Sequence, residues 1–270
     1  MRAVTIAGIG LLCPAGIGAE GAHGGRPGEV PDFRARAYVD NRKNLKLMSR
    51  AVRLGISAVR LAFSEAEDWE SVPAPRRGMF VGSTPGGGDL QDLLPALEAG
   101  TGPDGELDMA RFGTEGYRLI HPLWLVKGLS NNVLGFASAT HDLQGVNANY
   151  CDNDLSGLIA LHEGWAAVAE GRAELVVAGA ADSWLDFAEV LAGRKPGEGA
   201  MFLVMRAATP GDRWEVVPGE GPSLPDEEKD LGYLGAATAP VAVGRSLLRG
   251  EAVAVSPPGA YPIVMRPVSE

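Results

Sequence analysis

Cysteine is scarce in this sequence, which contains only Cys13 and Cys151 among its 270 residues. Two cysteines are too few for a framework of disulfides. Neither has a second cysteine or a histidine at the short spacing that a zinc site needs. Histidine is nearly as rare, with four residues in the whole chain. We therefore expect no structural metal centre.

Positive charge is also in short supply, with 24 Lys and Arg against 34 Asp and Glu and a formal net charge of −10. Nucleic-acid binding and attachment to anionic lipid both need a basic surface, so neither partner is expected. Long apolar runs are missing, and a membrane span needs roughly 18 or more such residues. The apolar stretch 4–14 is interrupted by glycine and proline and lacks the flanks of a signal peptide. We expect a cytoplasmic protein.

What the sequence does contain is a regular alternation of short apolar runs and segments of helical periodicity. Hydrophobic residues make up 46% of the chain, which is enough for a sizeable core. The pattern predicts strands at 2–9, 78–82, 145–151, 174–179, 199–206, 213–217, 251–255 and 261–266. It predicts helices at 45–65, 89–98, 122–141, 155–170 and 232–249. Such alternation is typical of a layered α/β fold.

The glycine-rich turns do not match nucleotide-binding motifs. Gly8 and Gly10 follow a strand, but the third glycine of a dinucleotide fingerprint is missing. The turn at 82–88 lacks the Lys-Ser or Lys-Thr pair that completes a phosphate-binding loop. We interpret both as sites of close backbone packing, and we expect no cofactor.

A series of motifs occurs in a characteristic order along the chain. They are Val4-Thr5-Ile6-Ala7-Gly8-Ile9-Gly10, Gly145-Val146, Asp154-Leu155-Ser156-Gly157, Val177-Ala178-Gly179-Ala180, Gly197-Glu198-Gly199-Ala200 and the segment 229–237. Together they resemble the β-ketoacyl synthases of the thiolase superfamily. The resemblance implies a thiolase-like layered α/β fold in which the N-terminal half is retained. It assigns 1–217 to the ketosynthase-like N-terminal domain. Residues 218–270 are then a strongly shortened remnant of the C-terminal half, packed on the same domain.

The catalytic positions of that family are altered here. By the resemblance, Asp154 occupies the position of the nucleophilic cysteine, and Tyr233 occupies that of a late histidine. The part that holds the other histidine is missing between Gly219 and Lys229. Condensation needs a thiolate to carry the acyl chain and histidines to stabilise the developing charge. No catalytic residue is therefore expected. Asp154 instead precedes a predicted helix, where its carboxylate is expected to face the N-terminal amides.

The remaining cysteines and histidines receive structural interpretations. Cys151 lies inside a predicted strand, and we expect it to be a small apolar residue, as we do for Cys13. His162 shares a helix face with Leu158 and Trp165, which favours packing over catalysis.

The resemblance implies a function as a chain length factor, a ketosynthase-like subunit that has lost its cysteine. Such a subunit pairs with a full-length β-ketoacyl-ACP synthase and helps to shape the pocket for the growing chain in type II polyketide, aryl polyene or fatty-acid-like biosynthesis. The dimer region corresponds to 122–160, and Trp124, Val133 and Phe136 are candidates for the pocket or the interface. Because a covering layer is missing, we also expect apolar surface that needs a partner.

Two alternatives remain open. The first is a stand-alone acyl-thioester enzyme, a thioesterase, decarboxylase or acyltransferase, using Asp154, Tyr233 or Cys151. The second is a scaffold that binds acyl carrier protein without a catalytic partner. A local basic cluster bears on carrier-protein binding, since it is either an ordinary solvated face or a docking patch for this acidic partner. The cluster consists of Arg42, Lys43, Lys46, Arg50 and Arg53.

Overall fold

The computed structural model describes residues 1–84 and 90–268. The strands are β1 (Val4–Cys13), β2 (Gly16–Ile17), β3 (Arg77–Gly82), β4 (Asn147–Tyr150), β5 (Leu175–Ser183), β6 (Glu198–Ala207), β7 (Trp214–Pro218), β8 (Val253–Val255) and β9 (Ile263–Pro267). The helices are α1 (Arg50–Glu65), α2 (Leu94–Gly100), α3 (Met109–Thr114), α4 (Trp124–Lys127), α5 (Asn132–His141), α6 (Ser156–Ala169), α7 (Glu228–Leu231) and α8 (Thr238–Leu248). The predicted glycine turn at 85–88 and the helix start at Asp89 lie outside the described residues.

The strands form one sheet in the order β4-β3-β5-β6-β1-β7-β9-β8, with β2 paired to β1. Strand β3 is parallel to both of its neighbours, β4 and β5. The other pairs are antiparallel. The carboxyl ends of β3, β4 and β5 therefore meet at one edge of the sheet, where open α/β sheets commonly place their sites.

Helices cover both faces of the sheet. One face packs against α1 and α5, and the other packs against α6 and α8. The core on the side of α6 and α8 also includes residues of β7, β8 and β9. These two helices therefore lie against strands from both ends of the sheet. In that core, Trp165 of α6 donates its Nε1–H to the carbonyl of Val216 in β7 at 3.2 Å. The predicted thiolase-like layered α/β fold is confirmed. Among the described residues, no helix has the length and apolar character to cross a membrane.

Two glycines in β1 bring α1 against the sheet. A Cβ atom at Gly8 would lie 2.0 Å from the carbonyl oxygen of Ala62, and one at Gly10 would lie 1.8 Å from that of Ala58. Any side chain at these positions would push the helix away. The glycines thus serve backbone packing, and Ser49 caps the start of α1 by accepting a hydrogen bond from the Val52 amide at 3.4 Å.

The prediction of one continuous helix at 122–141 is wrong. The segment forms the short helix α4, a turn at 128–131 and then α5. Asn132 stabilises the break, because its Nδ2–H donates to the carbonyl of Val126 at 2.6 Å. A side-chain donor of this kind competes with the regular helical pattern. The break leaves Leu125 and Leu129 exposed to solvent.

The C-terminal part covers its own strands with an irregular segment at 219–225. The Ala254 amide of β8 donates to the carbonyl of Pro222 at 2.7 Å. Gly221 lies so close to β9 that a Cβ atom there would be 2.9 Å from Cγ2 of Val264. Val264 is 5% exposed as a result. These strands are therefore covered by the chain itself.

Candidate functional site

The candidate site lies where the carboxyl ends of the parallel strands meet. The residues after β3 are Ser83 and Thr84, and the exposed segment 151–155 follows β4. Strand β5 contributes Asp182, and Tyr233 approaches from the segment before α8. Chain segments far apart in sequence thus supply one cluster of polar side chains.

Asp154 and Tyr233 are in direct contact. The Tyr233 hydroxyl donates a hydrogen bond to Oδ1 of Asp154, across 79 residues of sequence. Asp154 lies in a 3₁₀ turn at Asn153–Leu155, and no side chain caps the start of α6. The predicted role of Asp154 as a helix cap is therefore wrong. Asn153 in the same turn has a left-handed backbone, with φ of 46°. The turn directs the Asp154 carboxylate toward Tyr233 instead.

The Tyr233 ring contacts an aromatic ring and a cation. The Trp184 ring lies 5.0 Å away, and the Arg194 guanidinium lies 3.8 Å from the Tyr233 ring centroid. Glu228 fixes Arg194 through two hydrogen bonds of 2.7 and 2.6 Å. Burial raises the pKa of the Tyr233 phenol above its ordinary value, and the bond to Asp154 raises this pKa further. The phenol is thus a hydrogen-bond donor rather than a base at neutral pH.

Asp182 is a buried carboxylate that our sequence analysis did not single out. It accepts hydrogen bonds from the Thr84 hydroxyl, the Trp184 indole and the Ala236 amide. Burial raises the pKa of Asp182, while these donors oppose the shift. Gly235 makes room for it, since a Cβ atom there would lie 2.2 Å from Oδ2. An acidic residue directly after the apolar run 175–181 was the available signal.

Cys151 lies just beyond the end of β4 and is exposed, so the expectation of a buried apolar cysteine is wrong for this residue. Its Sγ is 3.2 Å from Oγ of Ser83 and accepts from Nδ2 of Asn149 at 3.2 Å. Within the described part of the chain, no histidine contacts this thiol. Cys13 is buried, as predicted.

A cavity of about 190 Å³ lies beside this cluster. Its lining includes Arg50, Ser83, Thr84, Lys127, Asp182 and Trp184. Asp154 and Tyr233 do not line it. Because Trp184 lines the cavity and also packs on Tyr233, it forms part of the wall between the two. The cavity and the Asp154–Tyr233 pair are thus neighbouring but separate features.

The three predicted pocket or interface residues occupy different environments. Val133 is buried in α5 and lines the cavity. Phe136 is half-buried and packs on the core between the sheet and α1. Trp124 is half-buried in α4, and its indole nitrogen has no hydrogen-bond partner among the described residues. Their assignment to a pocket or an interface stays a prediction.

His162 and the basic cluster can also be placed. His162 is buried, packs against Trp165 with ring centroids 5.6 Å apart, and has Nε2 3.1 Å from the Tyr261 carbonyl oxygen. In the basic cluster, Arg50 donates to the fully buried Glu198 at 2.8 Å, and Arg53 donates to the Leu45 carbonyl at 3.0 Å. These two arginines therefore hold the fold together, unlike the exposed lysines and Arg42.

The donor set does not resemble a metal centre. Among residues 1–84 and 90–268, no group of three or more His, Cys, Asp or Glu side chains is arranged to hold a metal ion. The chemistry that the cluster offers is hydrogen bonding by a phenol and by carboxylates.

Comparison with solved structures identifies similar folds. The ishigamide ketosynthase/chain length factor matches with a TM-score of 0.74 and 14% identity, covering all of both chains. The AntDE:AntF complex, a type II PKS acyl-carrier protein in complex with its ketosynthase, matches with a TM-score of 0.71 and 16% identity, again over all of both chains. A β-ketoacyl synthase from Burkholderia phymatum STM815 matches over all of both chains with a TM-score of 0.68 and 13% identity.

Sequence comparison gives the family directly. No curated protein matches the chain. The family profile described as "Beta-ketoacyl synthase, N-terminal domain" matches residues 15–196, which is more than half of the 270 residues. This match includes Asp154 and the strands that build the site. The chain therefore belongs to the β-ketoacyl synthase family.

Proposed function

We propose that this chain is a non-catalytic ketosynthase-like subunit of the chain length factor type, which pairs with an active, full-length β-ketoacyl-ACP synthase. We further propose that 218–270 is the shortened remnant of the second ketosynthase half. The observation that carries the functional proposal is the Asp154–Tyr233 hydrogen bond. By resemblance, these residues stand at the nucleophile and histidine positions of the family, and here they bind each other.

The chemistry of this pair argues against a stand-alone acyl-transfer enzyme. A carboxylate is a poor acyl carrier, because its acyl product is a mixed anhydride rather than a stable thioester. The raised pKa of Tyr233 keeps its phenol protonated, so it cannot activate a nucleophile as a base. Cys151 is exposed, but within the described residues it has no histidine beside it to remove its proton.

The open edge of β4 supports a partner strand. The carbonyls of Val146 and Tyr150 accept from the Met79 and Ser83 amides across the β3 side. In a parallel pair, the backbone groups of the intervening residues Asn147 and Asn149 then point away from β3. No strand of the described chain pairs with that side. An exposed strand edge is a template for pairing with another chain.

A segment that precedes β4 in the sequence exposes many apolar side chains. Between 107 and 129, seven large hydrophobic side chains are more than a third exposed, which exceeds what a solvated surface normally gathers in one segment. They are Leu107, Met109, Tyr117, Leu119, Leu125, Val126 and Leu129. We refer to this set as the apolar segment. Burial of this segment against a partner would supply the hydrophobic driving force for association.

The cavity gives the proposed subunit its role in setting chain length. Leu129 belongs both to the apolar segment and to the cavity lining, so the cavity adjoins the proposed interface. Asp154 does not line the cavity, and Trp184 lies between the cavity and Tyr233, the hydrogen-bond partner of Asp154. A growing chain in the cavity would therefore be attached to the cysteine of the partner rather than to Asp154.

A basic turn before α1 supports contact with acyl carrier protein. Five cations are exposed there and form no ion pair with any described residue. They are Arg34, Arg36, Arg42, Lys43 and Lys46. In a chain of net charge −10, such a local excess would steer an acidic partner to this surface. The structurally similar AntDE:AntF complex contains a carrier protein bound to its ketosynthase.

The test is the native mass of this chain after co-expression with a cysteine-containing ketosynthase encoded beside it. We expect a stable one-to-one complex whose product-forming activity survives Asp154→Ala. We also expect Asp154→Cys to give no condensation in the isolated chain. Within the complex, Leu129→Trp should shorten the products by filling the cavity. Leu119→Trp, in the same exposed segment but outside the cavity lining, is the matched control.

Three outcomes would contradict the proposal. Turnover by the isolated chain that Asp154→Ala abolishes would favour the stand-alone enzyme. A homodimer that binds acyl carrier protein and ignores every ketosynthase would favour the scaffold. Unchanged product lengths in the Leu129→Trp complex would remove the pocket-shaping role while leaving the pairing intact.

A further inference from the structure

A second cavity lies where the C-terminal ends of α1 and α5 meet. It has a volume of about 300 Å³ and is lined by Phe63, Ser64, Trp69, Glu70, Thr140 and His141, with Arg60 at its side. None of these residues belongs to the Asp154–Tyr233 site or lines the first cavity. The subunit function proposed above uses no part of it.

His141 is the feature of this cavity that needs an explanation. It is 6% exposed and lines the cavity, yet its imidazole makes no hydrogen bond to any residue that the structure describes. Only its backbone carbonyl is engaged, as an acceptor from Nη1 of Arg77 at 3.3 Å. Within the described residues, neither ring nitrogen is among the buried side-chain atoms that lack a partner, so both are accessible to solvent. The imidazole is therefore open to a hydrogen bond with a polar group that enters the cavity.

The imidazole is uncharged at neutral pH. Burial lowers the pKa of His141 to about 4, and the nearby charge of Arg60 lowers it as well, while Asp40 acts weakly in the opposite direction. A neutral imidazole has one nitrogen that donates and one that accepts. A hydroxyl group both donates and accepts, so it complements a neutral imidazole better than a group that only accepts.

Aromatic rings form the floor of the cavity. The centroid of the Phe63 ring is 4.3 Å from that of Trp69 and 4.5 Å from that of His141. Trp69 and His141 meet edge-on at 5.6 Å. These packed rings present edges and faces to which another aromatic ring can pack, with ring quadrupoles favouring such contacts.

The charges around the cavity balance each other. Arg60 is paired with Asp40 at 3.0 Å. The Arg77 guanidinium lies over the Trp69 ring at 5.1 Å, and the neighbouring Glu70 is exposed. Two cations and two carboxylates leave no net charge to attract an ion. A neutral ligand is therefore favoured over an aromatic acid or amine.

We propose that this cavity binds a small neutral aromatic alcohol, a molecule of the phenol class, whose ring packs against Phe63 and Trp69 and whose hydroxyl bonds to the imidazole of His141. The volume admits a single substituted ring. The site does not depend on the pairing proposed above, since it is built from α1, the turn after it and α5 of this chain alone.

The test measures the binding of p-cresol to the whole chain. NMR of the histidine ring protons and calorimetry are the two readouts. We expect saturable binding with a dissociation constant on the order of 1 mM, as befits so small a ligand. Toluene, which keeps the ring and lacks the hydroxyl, should bind at least tenfold more weakly. Cyclohexanol, which keeps the hydroxyl and lacks the aromatic ring, should also bind at least tenfold more weakly.

Variants locate the site. His141→Phe keeps a ring and removes both nitrogens, so it should weaken p-cresol binding about tenfold and leave toluene unaffected. His23→Phe makes the same change at an exposed loop position and should change nothing. If His141→Phe does not fold, a p-cresol-dependent shift of the His141 ring protons in the unmodified chain is the deciding measurement. Absence of saturable binding, equal binding of toluene, or full binding by His141→Phe would overturn the proposal and leave the cavity to water.

Discussion

The two ends of the sheet differ in how they meet solvent. At one end, the Ala254 amide of β8 is hydrogen-bonded to the irregular segment 219–225, which also covers Val264. At the other end, β4 has β3 on one side and no strand of the described chain on the other. The apolar segment at 107–129 lies on the part of the chain that precedes β4. One end is closed by the chain itself, and the other is open.

This difference shows that losing part of a fold does not by itself create a binding surface. At the β8 end, the irregular segment 219–225 accepts a hydrogen bond from β8 through Pro222 and lies against Val264 of β9 through Gly221. The exposed apolar side chains are instead concentrated in the half that the family match covers. A partner is therefore expected to contact the half of the chain that holds both the apolar segment and the open edge of β4.

Asn147→Pro should have the largest effect, because it blocks the outward amide of β4 that a partner strand would use. We expect loss of the ketosynthase complex by more than a hundredfold in affinity, with a nearly unchanged melting temperature. Ala254→Pro is the matched change at the sealed end. It removes the bond to Pro222, so it should lower the melting temperature and leave pairing intact. Loss of pairing in Ala254→Pro together with intact pairing in Asn147→Pro would contradict the assignment of the open end to β4.

Acid should lower the free energy of unfolding through His141, the last residue of α5, which precedes β4. Its folded-state pKa is about 4 against an ordinary value of 6.5, so between these values only the unfolded chain binds the proton. Stability is unaffected above pH 6.5 and falls as the pH drops toward 4, by about 3 kcal/mol in total. Urea unfolding at several pH values should give a smaller decline for His141→Phe than for His23→Phe. Identical declines for the two variants would show that His141 is not the source of the acid sensitivity.

Leu125→Asp tests the apolar segment directly. Leu125 is 69% exposed, so a charge there should cost little folding stability. At a buried interface the same charge should weaken the ketosynthase complex about tenfold or more, as measured by calorimetry of the purified partners. Val190→Asp is the control, because Val190 is 70% exposed and lies outside the segment. Equal effects of the two variants would show that the segment is ordinary surface.

Gly221→Ala should have the smallest effect and should appear only at the sealed end. The added methyl group would lie 2.9 Å from a Val264 methyl group and would force the segment outward. We expect a loss of about 1 kcal/mol in the free energy of unfolding. Ketosynthase pairing should not change. Gly113→Ala, at a glycine in α3 with open space around its Cβ position, should not destabilise the chain.

Sequence periodicity located the elements whose burial is uniform along their length. The apolar runs that became β3, β5 and β6 are buried almost throughout, and the predicted helix at 155–170 corresponds to α6. The method was wrong at 122–141, where hydrophobic residues are abundant but Asn132 bonds to the backbone and interrupts the helix. The apolar residues there divide between exposed surface at 125–129 and a buried face of α5 that includes Val133 and Ala137.

The candidate site was only partly accessible from the sequence. The resemblance singled out Asp154 and Tyr233 individually, but their mutual hydrogen bond depends on the 3₁₀ turn before α6. Asp182 was missed because its importance comes from donors on three separate segments, carried by Thr84, Trp184 and Ala236. The exposure of Cys151 was not predicted, since β4 ends at Tyr150 and its own residues are exposed or half-buried.

The sequence by itself determined the layered α/β architecture and the family, because these follow from local periodicity and motif order. Only the tertiary structure decided that Asp154 binds Tyr233, that 219–225 seals one end of the sheet, and that the other end stays open. The reason is physical. Hydrogen-bond pairing and surface covering depend on contacts between residues far apart in the chain, and local patterns do not specify such contacts.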